Sequence, residues 1–189
     1  TTYWVNPEKE VTVTAPAVTA NDDYKHVAWT YGTKEVKTLE SVTDKFTEKK
    51  TTITAKYLKK VVTDDPNDTT NYVKVSFSAE KDGKFADGAT TTYWVLKDTP
   101  VTFDVPSVTA NDNYKFIEWK PEVKASYSED TEHKAQYKEI IVTKDPKDKD
   151  YVKVTFDPAA QGTIKKGSAE VWVLKDETID PTKITPCLL

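Results

Sequence analysis

The residues best suited to chemistry are few and poorly grouped. His26 and His133 are the two histidines, and Cys187 is the one cysteine. Metal binding and nucleophilic catalysis need such groups in twos and threes, at spacings that converge in the fold. Neither histidine has a His or Cys neighbour in sequence, so both are expected as surface or half-buried side chains. Cys187 has no partner for an intrachain disulfide and nothing beside it that lowers a thiol pKa. Two acidic clusters come closest to a site. Asp64, Asp65 and Asp68 form one, and Asp145, Asp148 and Asp150 the other. Calcium takes several oxygen ligands close together, which makes these six acids weak calcium candidates. The spacing and glycine of an EF-hand are missing, however, and a solvated turn is the favoured reading. No phosphate-cradling glycine loop, nucleophile elbow or zinc spacing occurs, so no catalytic residue, no cofactor and no enzyme activity are expected.

The elements that would position any site come from an internal repeat. Thr1-Thr2-Tyr3-Trp4-Val5 returns as Thr91-Thr92-Tyr93-Trp94-Val95, and Val18-Thr19-Ala20-Asn21-Asp22 as Val108-Thr109-Ala110-Asn111-Asp112. Trp29 matches Trp119, and Tyr57 matches Tyr137. A third copy opens with Tyr151-Val152-Lys153-Val154, the counterpart of Tyr72-Val73-Lys74-Val75, and reaches Trp172, the counterpart of Trp94. The organisation expected is tandem repeats of about 80 residues joined end to end. Residues 1–60 are an incomplete first repeat and 72–139 a complete one. Residues 151–189 are the first half of a third. The Pro-containing stretches 61–71 and 140–150 read as linkers. Trp29 to Tyr57 spans 28 residues against 18 from Trp119 to Tyr137, so the first copy carries ten extra residues between positions 31 and 50. Such an insertion is expected in a surface loop, where residues that differ between copies are the better candidates for a specific contact.

Alternation of apolar and polar residues predicts strands over 72–77, 89–96, 101–105, 114–119 and 131–137, with turns at Gly83 and Gly88. Residues 108–113 read as a short helical turn or an irregular loop. The fold class expected is mainly β, in small α+β modules, with immunoglobulin-like β-sandwich modules as the alternative. The recurring aromatics Trp4, Trp29, Tyr57, Trp94, Trp119, Tyr137 and Trp172 are expected to be the packing that each small module must remake.

Composition narrows the class further. The net charge is −4, from 27 basic residues, all lysine, against 31 acidic ones. The signs are interleaved and no basic block tracks a phosphate backbone, so nucleic acid is not an expected partner. No apolar run is long enough for a membrane helix, so no membrane insertion is expected in this segment. The chain contains no methionine, and no signal peptide is visible.

The pattern Tyr-Val-Lys-Val-Ser-Phe at 72–77, the glycine pair, Asn-Tyr-Lys-Phe-Ile-Glu-Trp at 113–119 and Ala-Gln-Tyr at 135–137 resembles the internalin B-repeat, or Listeria–Bacteroides repeat, group of Gram-positive surface proteins. The resemblance implies a β-grasp-like module, its sheet wrapping a short helix, in an extracellular protein anchored to the cell wall. The expected function is a non-catalytic stalk or spacer that projects a binding domain, its partners being the neighbouring repeats of the same chain. The alternative is an adhesive module that binds a host protein or glycan through repeated weak sites. Two fates are open to the half-length end pieces: complementation between neighbouring chains by strand addition, or an end fragment that is partly unpaired or built differently from the full copy.

Overall fold

The computed structural model describes residues 1–165 and 167–178. Its regular structure is all strand, and no helix occurs among the described residues. The chain divides into two compact units. The first comprises 1–74, 93–103 and 125–129, and the second 75–92, 104–124 and 130–189.

In the first unit, β1 (Val11–Thr14) pairs antiparallel with β4 (Ser41–Asp44). A second sheet places β2 (Tyr24–Tyr31) between β3 (Lys34–Val36) and β5 (Thr54–Lys59). The β2–β3 hairpin turns through Gly32, whose φ of 52° lies in the region glycine enters without steric cost. Short β6 (Val61–Val62) pairs with Val95 and Trp94 of β9 (Thr92–Leu96). The core is Val13, Trp29, Tyr31, Val42 and Phe46.

In the second unit, β8 (Gly83–Phe85) pairs with β10 (Val108–Ala110). β11 (Tyr114–Lys120) lies antiparallel to β12 (Thr131–Glu139). β12 in turn runs parallel to Val75–Ser78 of β7 (Tyr72–Ser78). A separate sheet has the order β13 (Ile141–Val142), β15 (Glu170–Leu174), β14 (Tyr151–Thr155). Aromatic rings fill the centre of the unit. Phe77 meets the edge of Trp119 and stacks on His133, each at 5.0 Å, while Phe85 stacks on Trp119 at 6.2 Å.

The structure corrects three expectations. The short helix implied by a β-grasp-like α+β module is absent from the described residues: Val108–Ala110 is a strand. Pro106 and the left-handed Asn113 bound a stretch of six residues, too short for a stable helix, and β8 offers Val108–Ala110 a ladder instead. The ten extra residues of the first copy do not form a surface loop. They build β3 and β4 and place Val42 (1% exposed) and Phe46 in the core. Finally, Val101 to Val105 forms no strand, although its counterpart Val11–Thr14 is β1. A strand needs a partner. The insertion supplies β4 to the first copy, whereas Val101 has only a single backbone bond, to Ala125 O.

The stretches 61–71 and 140–150, read as linkers, are hydrogen-bonded into the units, β6 against β9 and β13 against β15.

Candidate functional site

Each unit contains one junction between successive copies, and the two junctions are built alike. Lys60 N–H donates to Asp23 O, and Leu96 N–H donates back to Lys60 O. At the second junction Ile140 N–H donates to Asn113 O, and Leu174 N–H to Ile140 O. Lys97 N–H reaches Asn71 O as Lys175 N–H reaches Asp150 O, both at 2.9 Å. Side chains repeat the pattern. Tyr72 Oη donates to Lys59 O at 2.6 Å and Tyr151 Oη to Glu139 O at 2.5 Å. The ammonium groups of Lys97 and Lys175 donate to the carbonyls of Thr69 and Lys149. A backbone carbonyl carries two lone pairs, so these tyrosines and lysines satisfy acceptors that the short strands leave open.

Five of the six acids are bonded at these junctions, in turns or to lysine. Asp65 accepts the N–H of Asn67, and Asp145 that of Lys147. The accepting turn in each case carries its third residue at positive φ, 52° and 55°. This is the turn in which an Asx side chain stands in for a backbone acceptor. Asp68 accepts both the backbone and side-chain N–H groups of Asn71, which hold its carboxyl below the usual range. Asp148 and Asp150 share the ammonium of Lys138, at 2.7 and 2.6 Å. Those bonds lower the Asp148 carboxyl and raise Lys138. Asp64 is exposed. Among the described residues no three acids, histidines or cysteines are grouped so as to hold a metal ion.

The recurring aromatics divide by environment. Trp29 is buried, and its indole N–H donates to Leu39 O. Trp94, Trp119, Tyr137 and Trp172 are half-buried. Tyr57 is 37% exposed and Trp4 94% exposed, which departs from a uniform packing role. Trp94 and Trp172 sit in strands, opposite Val62 and Val142, whereas Thr1–Val5 carries no strand to hold Trp4.

His26 is half-buried against Trp29 at 4.8 Å and Tyr57 at 5.4 Å, as Phe116 lies against Trp119 and Tyr137. It does the packing of a phenylalanine. His133 is fully buried, contrary to the surface or half-buried place expected of it, because the parallel pairing of β12 with β7 sets its ring on Phe77. Its Nδ1–H donates to Pro121 O at 2.6 Å, the role that bond imposes on this nitrogen. Cys187 lies outside the described residues.

Sequence reading passed over Tyr72, Tyr151, Lys97 and Lys175 as working residues, although their recurrence in matching positions was the available signal. It also missed a cleft of about 1000 Å³ in the first unit, lined by Trp4, Trp29, Val42, Phe46 and Ile53 among others. The insertion forms part of its wall, which no pattern shared between copies announces. No helix among the described residues is long and apolar enough to cross a membrane. The chain matches no family model, no curated protein and no solved structure.

Proposed function

We propose that this chain is a non-catalytic spacer, a run of tandem repeats of about 80 residues, of the internalin B-repeat type, that projects a binding domain from a bacterial cell surface. The observation that carries the reading is the junction made twice with the same bonds. A flexible tether needs no such bonds, since glycine- and serine-rich linkers reach further with fewer constraints. A spacer that transmits position needs a joint with few internal freedoms. Backbone bonds flanking Lys60 and Ile140 give that, because each residue held in one backbone conformation loses most of its freedom. The chemistry-bearing residues are used in the same service. The acids cap turns or pair with lysine, and both histidines pack on aromatic rings.

Small-angle X-ray scattering tests the proposal. An extended string of modules gives a radius of gyration well above the roughly 16 Å of a compact chain of this length. A value near that figure would overturn the spacer reading.

A further inference from the structure

The strand by which the chain enters residues 72–139 and the strand by which it leaves them are neighbours. β7 opens the stretch and β12 closes it, and Val75–Ser78 of the one runs parallel to Thr131–Lys134 of the other. In a parallel pair the entering end of the first strand and the leaving end of the second lie at opposite ends of the ladder. Tension on the chain therefore pulls β7 and β12 in opposite directions along their own axes, and every ladder bond is loaded at once. The antiparallel pair β11 and β12 differs. Tyr114 lies opposite Glu139, so a pull on those two ends parts the bonds one after another.

Side chains resist the same slide. Phe77 lies opposite His133 in the ladder, and the two rings stack at 5.0 Å. A slip of one residue, about 3.3 Å, would set Phe77 opposite Glu132 or Lys134, whose side chains point to the other face. Val75, Phe77 and His133 are all buried, so the slide begins only by breaking their packing. His133 is fixed from the side as well, its Nδ1–H donating to Pro121 O at 2.6 Å. Two further ties join the same segments. Tyr137 Oη donates to Ala79 O at 2.9 Å, and Lys134 Nζ lies 3.6 Å from Glu80. On its other side β7 is held by the bond from Phe77 N–H to Thr91 O at 2.9 Å.

We infer that the β7–β12 pair is a mechanical clamp, by which residues 72–139 bear tension directed along the chain. The clamp is a property of this stretch alone. It goes beyond the spacer reading and holds equally if the chain serves adhesion. Forced unfolding follows the height of the unfolding barrier and not the equilibrium stability. One and the same fold is therefore strong to a pull that shears β7 past β12 and weak to a pull that unzips β11 from β12.

Single-molecule force spectroscopy on the full chain reads the outcome. Handles are attached through azide-bearing residues in place of Thr70 and Lys144, both exposed and outside the two strands. That direction shears the clamp. One abrupt event is expected, lengthening the chain by on the order of 180 Å, the reach of residues 79–130 at about 3.3–3.6 Å each. Handles in place of the exposed Asp112 and of Lys144 pull β11 from β12 instead, and the first event is expected at a force at least about twofold lower. Ser76→Cys with Glu132→Cys, in a Cys187→Ser background, joins two register partners of the clamp. Oxidation is expected to remove the long event in the shearing direction, and reduction to restore it. Equal forces in the two directions, no abrupt event of that length, a cysteine pair that fails to crosslink, or a long event that survives the crosslink would overturn the clamp.

Discussion

Gly83→Ala is the sharpest single perturbation of the second unit. A Cβ built on Gly83 falls 2.1 Å from Tyr137 Oη, 2.6 Å from Cζ and 2.9 Å from Cε1. Atoms at that separation must move, and the Gly83 backbone is tied to Ala110 through the β8–β10 ladder. The Tyr137 ring is therefore what yields. Its displacement breaks the bond from Oη to Ala79 O at 2.9 Å, costing about 1 kcal/mol. It also disturbs the edge contact with Phe116 at 5.9 Å, and overpacking of this kind costs about 1–3 kcal/mol. A total of about 2–4 kcal/mol follows if the two costs add. Urea unfolding followed by tryptophan fluorescence measures it, since Trp119 lies in the same cluster. A double-mutant cycle with Tyr137→Leu isolates the cause. With the ring gone Gly83→Ala should cost little, leaving a coupling of more than about 1 kcal/mol. A Gly83→Ala penalty below about 0.5 kcal/mol, or additive single costs, would refute the steric argument.

Other consequences can be measured independently. Tyr72→Phe and Tyr151→Phe each remove a hydroxyl that donates to a junction carbonyl, so each should cost about 1 kcal/mol in chemical denaturation, the buried Tyr72 the more. Asp44 accepts bonds from Lys34, Tyr31 and Lys45 N–H that hold its carboxyl at about 2 against an ordinary 3.8. Its contribution to stability is therefore complete above pH 3.8 and lost as pH falls towards 2. Asp44→Asn should flatten the thermal midpoint across that window, and carboxyl NMR should find Asp44 titrating closer to 3.8 in Lys34→Ala. Burial and then Asp44 push the Tyr31 phenol up to about 12 from 10.0. The bond it makes is thus kept below pH 10 and lost as pH rises through 12, which the phenolate absorbance at high pH should report.

Much of the strand content is written in local alternation. The stretches 72–77, 114–119 and 131–137 became β7, β11 and β12 with small shifts at their ends. Pairing was legible only in part. Val11–Thr14 and Val101–Asp104 are similar sequences with different fates, because the partner that makes one a strand lies thirty residues on, in the insertion. The same non-locality hid the burial of His133. Nothing in Glu132-His133-Lys134 indicates an interior position, and it takes the parallel neighbour β7 to bring Phe77 onto the ring. The acids were legible as turns, because Asp-Pro followed by Asn or Lys has local chemistry of its own. The cleft was not legible, since part of its wall is the insertion, whose residues have no counterpart in the other copies.

The insertion leaves one measurement untouched. Despite ten more residues between them, β2 and β5 meet in the same register as β11 and β12: Tyr24 opposite Lys59 as Tyr114 is opposite Glu139, with the same irregularity at Val27 and Ile117. The ten residues between β2 and β5 of the first copy are thus taken up without re-indexing its sheet. The length between the two strands varies while their pairing stays fixed, so the register belongs to the strands and not to the segment that joins them.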